Sequence, residues 1–405
     1  MSHSQKIRPQ VALIVDTSLA SGRNILRGIT RYVHGHGLWN LFHCPEAIDK
    51  KVPAWLKDCE NGGIIARVDN PTFAEALMET GAPVVDVLGL VPNTGFPVVQ
   101  VDDEAIAALA FDHLAERGFR NFAFVGFRSE PWALGGRNWS ERRRYVFAAK
   151  ARTIRCDTQV FEFTAEQLKE NSWEEREGHL AEWLQALPKP CGILVCNDQF
   201  GLDVLEACRR ANVHVPDEVA VLGVDNDEPL CDVCTPPLSS VSPGHVGVGY
   251  QAAALLDTIM HGGKLRSKTK RVPPGGVVTR QSSEVLAVDD SAVALALRLI
   301  RERSCAGISV DEIARLSGTS RSVLQRRFRS SLGQSIHDCI ISTRLKHAVE
   351  LISTSDMSLP EIAEFCGFKH QEYMGVVFRE RLGHTPAGIR RASQSQSHLD
   401  LLKQL

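Results

Sequence analysis

A chain of 405 residues is too long for a single hydrophobic core and calls for two or three domains. Its 43% hydrophobic content is ordinary for a soluble protein, no run of about 18 apolar residues offers a membrane span, and the opening MSHSQKIRPQ lacks the apolar stretch of a secretory leader, so the expected place is the cytoplasm, with no membrane partner. The net charge of −2 conceals a division, because from Ser291 onward 16 Lys and Arg face 11 Asp and Glu, while the residues before it carry an acidic excess of 7.

Residues 10–280 alternate short apolar runs with amphipathic stretches. Val11–Val15, Gly63–Ala66, Pro83–Val87, Val98–Val101, Asn121–Gly126, Gly192–Cys196 and Val219–Val224 are too short for helices and predict buried parallel strands. Between them lie helical patterns such as Glu104–Arg117 and Gln199–Asn212, the latter with Leu202, Leu205 and Cys208 on one face. Repeated strand–helix units predict a doubly wound α/β sheet, whose ligands bind beyond the carboxyl ends of the strands.

Polar groups stand at several of those ends. Asp16 and Ser18 follow the first strand, Asp102 the fourth, Asn197 and Asp198 the run GILVC, and Asp225 and Asn226 the run VAVLGV. Arg143 lies in WSERRRYVF, a helix that begins just beyond NFAFVG. Carboxylates and amides so placed accept from paired hydroxyls while a guanidinium donates, which suits a neutral polyol. A plainer alternative for each Asp or Asn is a helix cap or a turn. The first strand leads into DTSLASGRN, with one Gly and no G-x-G-x-x-G, which argues against a dinucleotide.

Nothing in the chain predicts an enzyme. CDVC at Cys231–Cys234 is one pair where a zinc site needs four ligands, His34, His36, His43 and Cys44 read as solvated groups at a helix end and loop, and no G-x-S-x-G occurs. The 11 cysteines are an odd, scattered set that predicts reduced thiols, Cys191 and Cys196 among them as core residues. No catalytic residue, metal or cofactor is expected.

After Arg280 the strand signals stop. QSSEVLAVDDS, 281–291, reads as a polar linker between a domain at 8–280 and a helical one at 292–392, with a polar tail at 393–405. The helical part is duplicated. Glu312, Ile313, Ala314 and Gly318 recur as Glu361, Ile362, Ala363 and Gly367, and Phe328, Leu332 and Gly333 recur as Phe378, Leu382 and Gly383. Each copy predicts a short helix, a tight turn at Gly, and a longer helix with inward Leu324 and Phe328, or Met374 and Phe378. The outer faces carry Ser320, Arg321, Gln325 and Arg326 in one copy and Lys369, His370, Gln371 and Arg379 in the other, side chains able to meet phosphates and major-groove base edges. Between them Ile341, Leu345, Ala348 and Ile352 mark a connecting helix that could hold the two reading helices roughly 34 Å apart, one turn of duplex DNA.

Two resemblances join these readings. The stretch from Ala292 to about Ala392, closing on LGHTPAGIRR, resembles the AraC-type transcription factor domain, with Met374 and Ile389 where aromatic residues are usual. The stretches VDDEAIAALAFDHLAERGFRNFAFVGF, CNDQFGLDVLEACRRANVHVPDEVAVLGVDNDE and PPLSSVSPGHVGVGYQAAALLDTIMHGG resemble the LacI/GalR-type effector domain, related to periplasmic sugar-binding proteins. That likeness implies two lobes around a sugar cleft, with Arg143, Asn197 or Asp198, and Asp225 as contacts, and it finds Pro243 where the family often has Gln. The expected fold is therefore a two-lobed, periplasmic-binding-protein-like α/β domain followed by an all-α double helix-turn-helix domain. A sensor that precedes an AraC-type domain resembles the family of xylose-responsive regulators, which implies D-xylose as ligand, an operator as double-stranded DNA partner, a homodimer, and activation beside RNA polymerase. The spacing of Asp225 and Arg143 leaves another pentose or hexose open.

Overall fold

The computed structural model describes residues 8–36, 39–44, 62–128, 138–164, 166–167, 173–265, 267–284, 288, 290–355 and 357–394. The chain divides into two compact units, 1–286 and 287–405.

The first unit holds two six-stranded sheets. One begins with β1 (Gln10–Ile14), α1 (Ala20–His36), β2 (Asn40–His43), β3 (Gly62–Ala66), α2 (Pro71–Met78), β4 (Val84–Asp86) and β5 (Val98–Val101). The chain then crosses into the second lobe through α3 (Asp103–Glu116), β6 (Asn121–Phe127), α4 (Trp139–Thr153), β7 (Thr158–Phe163), α5 (Trp173–Ala186), β8 (Cys191–Val195), α6 (Asp198–Arg210), β9 (Val219–Val224), α7 (Glu228–Val233) and β10 (Ser239–Ser242). It returns with α8 (His245–Met260) and β11 (Thr269–Val272), and crosses a third time to β12 (Gly276–Val278) and a 3-10 turn at Gln281–Ser283. The strand orders are β11-β5-β4-β3-β1-β2 and β12-β10-β9-β8-β6-β7, parallel except for β12 against β10.

The central strands are continuous apolar runs because helices cover both faces of each sheet. Every residue of β3, β8 and β9 is buried. In the first lobe, α1 and α8 meet backbone to backbone. A Cβ on Gly28 would stand 2.0 Å from the Val246 carbonyl oxygen, and one on Gly249 would stand 1.9 Å from that of Ile25, so only glycine permits the contact. In the second lobe, Phe147 meets Phe111 and Phe122 edge to face, and those two rings pack at a tilt of 39°.

The seven strand expectations fall on β1, β3, β4, β5, β6, β8 and β9. The other five strands had weaker signals: β2 and β11 are edge strands, β7 alternates polar residues, and β10 and β12 hold Ser, Gly and Val only. The expected start of the linker moves. Ser282 and Ser283 are fully buried, Ser282 Oγ accepts from Ser239 N at 2.8 Å and donates to the Val221 carbonyl at 2.6 Å, and Ser283 Oγ meets His113 Nε2 at 2.8 Å. Serine hydroxyls satisfy buried backbone groups here, so a polar composition does not mean a free segment.

The second unit is all helical: α9 (Ser291–Arg303), α10 (Val310–Leu316), α11 (Arg321–Leu332), α12 (Ile336–Thr354), α13 (Leu359–Phe365), α14 (Gln371–Leu382) and α15 (Pro386–Gln394). Two cores divide it. Ile300, Ile313, Leu324 and Phe328 belong to the first, and Leu345, Ile362, Met374 and Phe378 to the second. The duplicated letters have local causes. Glu312 and Glu361 are the third residues of α10 and α13, whose caps Ser309 and Ser358 accept from their backbone N–H groups, and Glu361 also reaches back to Ser358 N. Gly318 and Gly367 take φ of 65° and 75°, the left-handed turn that reverses the chain toward α11 and α14.

Candidate functional site

The strand ends of the first unit frame a cleft between its lobes, with about 550 Å³ of space including the open mouth. From the first lobe come Arg67 after β3, Gln100 on β5 and His245 at the start of α8. From the second come Asp103, Trp139, Arg143, Asn197 and Asp225.

Two guanidinium groups stand here, Arg143 buried and Arg67 partly so. Arg143 is 3% exposed, and its Nε donates to Asp103 Oδ1 at 2.9 Å while Nη1 donates to the Cys196 carbonyl. The Trp139 ring lies 4.8 Å from its guanidinium carbon. Burial raises the Asp103 carboxyl above its ordinary range, and Arg143 and Arg142 oppose that rise. Arg67 donates to Ser21 Oγ at 2.9 Å. Burial lowers its pKa, and Asp225, Asp16, Asp69 and Asp86 counter it.

Asp225 owes its position to strained backbone. It takes φ of 119° and Asn226 of 47°, conformations that L residues rarely adopt. The turn is pinned at successive amides. Asp225 N donates to the Val241 carbonyl at 3.0 Å, Asn226 N to Ser240 Oγ at 3.0 Å, and Asp227 N to Asp198 Oδ2 at 2.8 Å. Ser240 Oγ in turn donates to Asp198 Oδ1 at 2.6 Å. Burial pushes Asp225 up to about 6, against the pull of Arg143 and Arg67. Burial and the neighbouring Asp225 push Asp198 up to about 7.

Side chains also join the lobes. Arg23 Nη2 of α1 donates to both carboxylate oxygens of Asp227, at 2.9 and 2.8 Å, and Arg142 Nη1 donates to Gln100 Oε1 at 3.3 Å.

Of the eight residues read from sequence as ligand contacts, Arg143, Asn197 and Asp225 line the cleft. Asn197 also caps α6, accepting from Phe200 N at 3.0 Å. The other five are not among the lining. Asp16 accepts from Ser18 N and Oγ in its own turn, Asp102 caps α3 through Ala105 N at 3.0 Å, Asp198 lies beneath the Asp225 turn, and Asn226 Oδ1 accepts from Arg280 Nη1 at 3.0 Å. Sequence reading passed over Arg67, Gln100, Trp139 and His245. Arg67 directly follows the buried run GIIA and was open to the same strand-end rule, and Trp139 opens the stretch that pointed to Arg143.

The helical unit presents its charges outward. Ser320, Arg321, Gln325, Arg326, Lys369, His370, Gln371 and Arg379 are all exposed. Ser320 caps α11, accepting from Val323 N at 3.4 Å, and Arg321 pairs with Asp311 at 2.9 Å. The same two helices expose Arg327 and Arg329, and Tyr373 and Val376, which sequence reading did not single out. Both reading helices are held from behind by their buried Leu or Met and Phe, the arrangement in which a helix enters a major groove.

Among the described residues no cluster of three His, Cys, Asp or Glu could hold a metal, and no helix is long and apolar enough to cross a membrane. Cys231 and Cys234 are buried, with thiols donating to Asp198 and to the Leu230 carbonyl. His36 meets the Tyr32 carbonyl at 3.3 Å and His43 that of Val15 at 3.0 Å.

Comparison with known proteins agrees with this division. Residues 111–283 match the periplasmic binding protein-like domain, and 296–392 match a helix-turn-helix domain. The chain is 31% identical to the xylose operon regulatory protein of Escherichia coli K12 over 95% of its length and 97% of that protein. It is 30% identical to that of Haemophilus influenzae over 94% and 98%. Among solved structures, that of the xylose-binding transcription activator xylR superposes with a TM-score of 0.76 at 28% identity, covering 96% of this chain and 99% of that one. The regulator CcpA of Lactococcus lactis, at 20% identity, shares the fold of 68% of the chain with a TM-score of 0.54.

Proposed function

Since the chain belongs to the family of the xylose operon regulatory proteins, and is a sugar-responsive DNA-binding transcription regulator rather than an enzyme, we propose that its ligand is D-xylose and its output is activation of genes for xylose uptake and use. The observation that carries this reading is the cleft, where the buried Arg143 and the partly buried Arg67 and Asp225 hold opposite charges in one small space. Paired hydroxyls accept from guanidinium groups and donate to a carboxylate, and a neutral sugar leaves the balance of charge there unchanged.

Arg143, Asn197 and Asp225 contact the sugar in this reading. The eight exposed residues on α11 and α14 and at their starts meet the operator, with phosphate contacts setting register and base edges setting sequence. The regulator acts in the cytoplasm as a homodimer, with RNA polymerase as the third partner. Closure of the lobes on the sugar changes how the two DNA-binding units of the dimer are presented, and so changes operator affinity.

The test is calorimetric titration of the full chain with D-xylose, with and without a duplex selected by the full chain from random DNA. Sugar affinity should rise about 5 to 150-fold when the duplex is present, by reciprocity of coupling. Equal affinities in the two titrations would sink the regulatory account. Binding of L-arabinose, D-ribose or D-glucose in preference to D-xylose would leave the regulator intact and change its ligand.

A further inference from the structure

In the cleft, most polar side chains already have a protein partner. Arg143 is held by Asp103, Arg67 by Ser21, Asn197 by the Phe200 amide of α6 and Gln100 by Arg142. Two groups differ. His245 Nδ1 is buried with no hydrogen-bond partner, and among the described residues nothing donates a hydrogen bond to the Asp225 carboxylate. The two face each other, Nδ1 to Oδ1, at 4.0 Å.

That distance is too long for a hydrogen bond, and an oxygen about 2.8 Å from each atom fits between them. A hydroxyl has the matching chemistry. It donates its one proton to a carboxylate oxygen and accepts from an imidazole N–H. Burial, with Arg67 and Arg143 nearby, pushes His245 down to about 3, so the ring is neutral, and the Nδ1–H tautomer is the one that would donate to such a hydroxyl.

The positions of the two residues give that hydroxyl a further role. His245 is the first residue of α8, at the point where the second crossover enters the first lobe. Gly244 before it takes φ of 88°, and a Cβ there would stand 2.7 Å from the Pro273 carbonyl oxygen on the third crossover. His245 therefore sits where two of the crossovers pack together. Asp225 belongs to the other lobe, in its pinned turn.

We infer that His245 is a sugar-contacting residue that, with Asp225, clasps one ligand hydroxyl across the two lobes and selects for sugars that carry it. The inference rests on the reading of the cleft as a sugar site. It makes one hydroxyl the reporter of closure, since losing it breaks a bond to each lobe at once.

The test uses the full chain and titrates the parent, His245→Ala and His245→Asn with D-xylose and its 2-, 3- and 4-deoxy analogues, and with L-arabinose, D-ribose and D-glucose. Denaturation midpoints confirm folding of each variant. His245→Ala should weaken the parent's preferred sugar about tenfold, the scale of an unmatched buried group. His245→Asn, whose amide nitrogen lies near the place of Nδ1, should restore most of the loss. One deoxy analogue should bind the parent about as weakly as the variant binds the full sugar, and should lose little more in the variant. Equal losses on every analogue, or no loss at all, would overturn the role of His245 while leaving the sugar site standing. If no sugar of the panel binds the parent, the sugar reading falls and this inference with it.

Discussion

The two units handle charge in opposite ways. In the first, Asp86, Asp103, Arg143, Glu177 and Asp198 are all less than 9% exposed, and the Asp103–Arg143 pair is both structure and part of the cleft wall. In the second, Ser304 is the one polar residue less than 9% exposed among the described ones, burial lowers the Arg301 pKa to about 10, and the Arg side chains of the reading helices stand in water over an apolar core. The difference follows from the ligands. A neutral sugar offers only hydroxyls, so its site must strip water from charged groups in advance, and those groups must pair with one another to stay charged. A duplex brings its own charge, so exposed side chains suffice and the scaffold is free to be apolar.

The largest effect that sharpens this contrast is expected at Arg143. Arg143→Ala leaves the buried Asp103 with only Arg142, at 3.8 Å, to balance it, and should destabilise the first unit by about 3–5 kcal/mol, read as a fall in its urea midpoint. Loss of sugar affinity with unchanged stability would show that the buried pair carries binding alone. Asp198 gives the next effect through pH. Its folded pKa, about 7, lies above the unfolded value near 4, so its contribution is fully present below about pH 4 and is lost as pH rises through 7. The stability of the parent relative to Asp198→Asn should therefore decline by a few kcal/mol between these limits, and a difference that does not vary with pH would remove the carboxyl from the account.

A smaller effect is expected on DNA. Arg326→Ala should weaken binding of the selected duplex by about 1–3 kcal/mol and change unfolding by no more than about 0.5 kcal/mol. A large loss of stability there would erase the contrast between the units. Smallest is Arg23→Ala. Its pair with Asp227 is 42% exposed on the Arg side, so the unfolding free energy should fall by about 0.2–1 kcal/mol, with weaker sugar binding as the closed form loses a tie.

The sequence made the fold legible where burial is complete. Runs such as VAVLGV have no competing reading, whereas β7 and β11 lie at sheet edges and mix charge with apolar residues. The helical unit was legible in more detail, because capping Glu and turn Gly are local requirements that duplication displays twice. The cleft was legible at three of the eight positions read for it, Arg143, Asn197 and Asp225. A strand-end Asp can cap a helix or line a cleft, and Asp102 does the first while Asp225 does the second. Only the φ of 119° separates them, and no letter encodes it. His245 had no signal at all, since its role depends on a crossover that folds back from a different sheet.

The three crossings of the first unit also bear on its birth. Neither lobe is a contiguous piece of chain. The first lobe, begun at β1, needs α8 and β11 to cover its sheet, and the second needs β12 after them. A chain emerging at about 5–20 residues per second completes β5 long before α8, so the apolar face of α1 that Gly249 will touch stays uncovered on the ribosome for many seconds. Late pairing of distant segments slows folding and exposes strand edges meanwhile. The closing of the sensor's core and the release of its last strand are thus nearly one event, and the DNA-binding unit follows on a chain whose sensor has only just become whole.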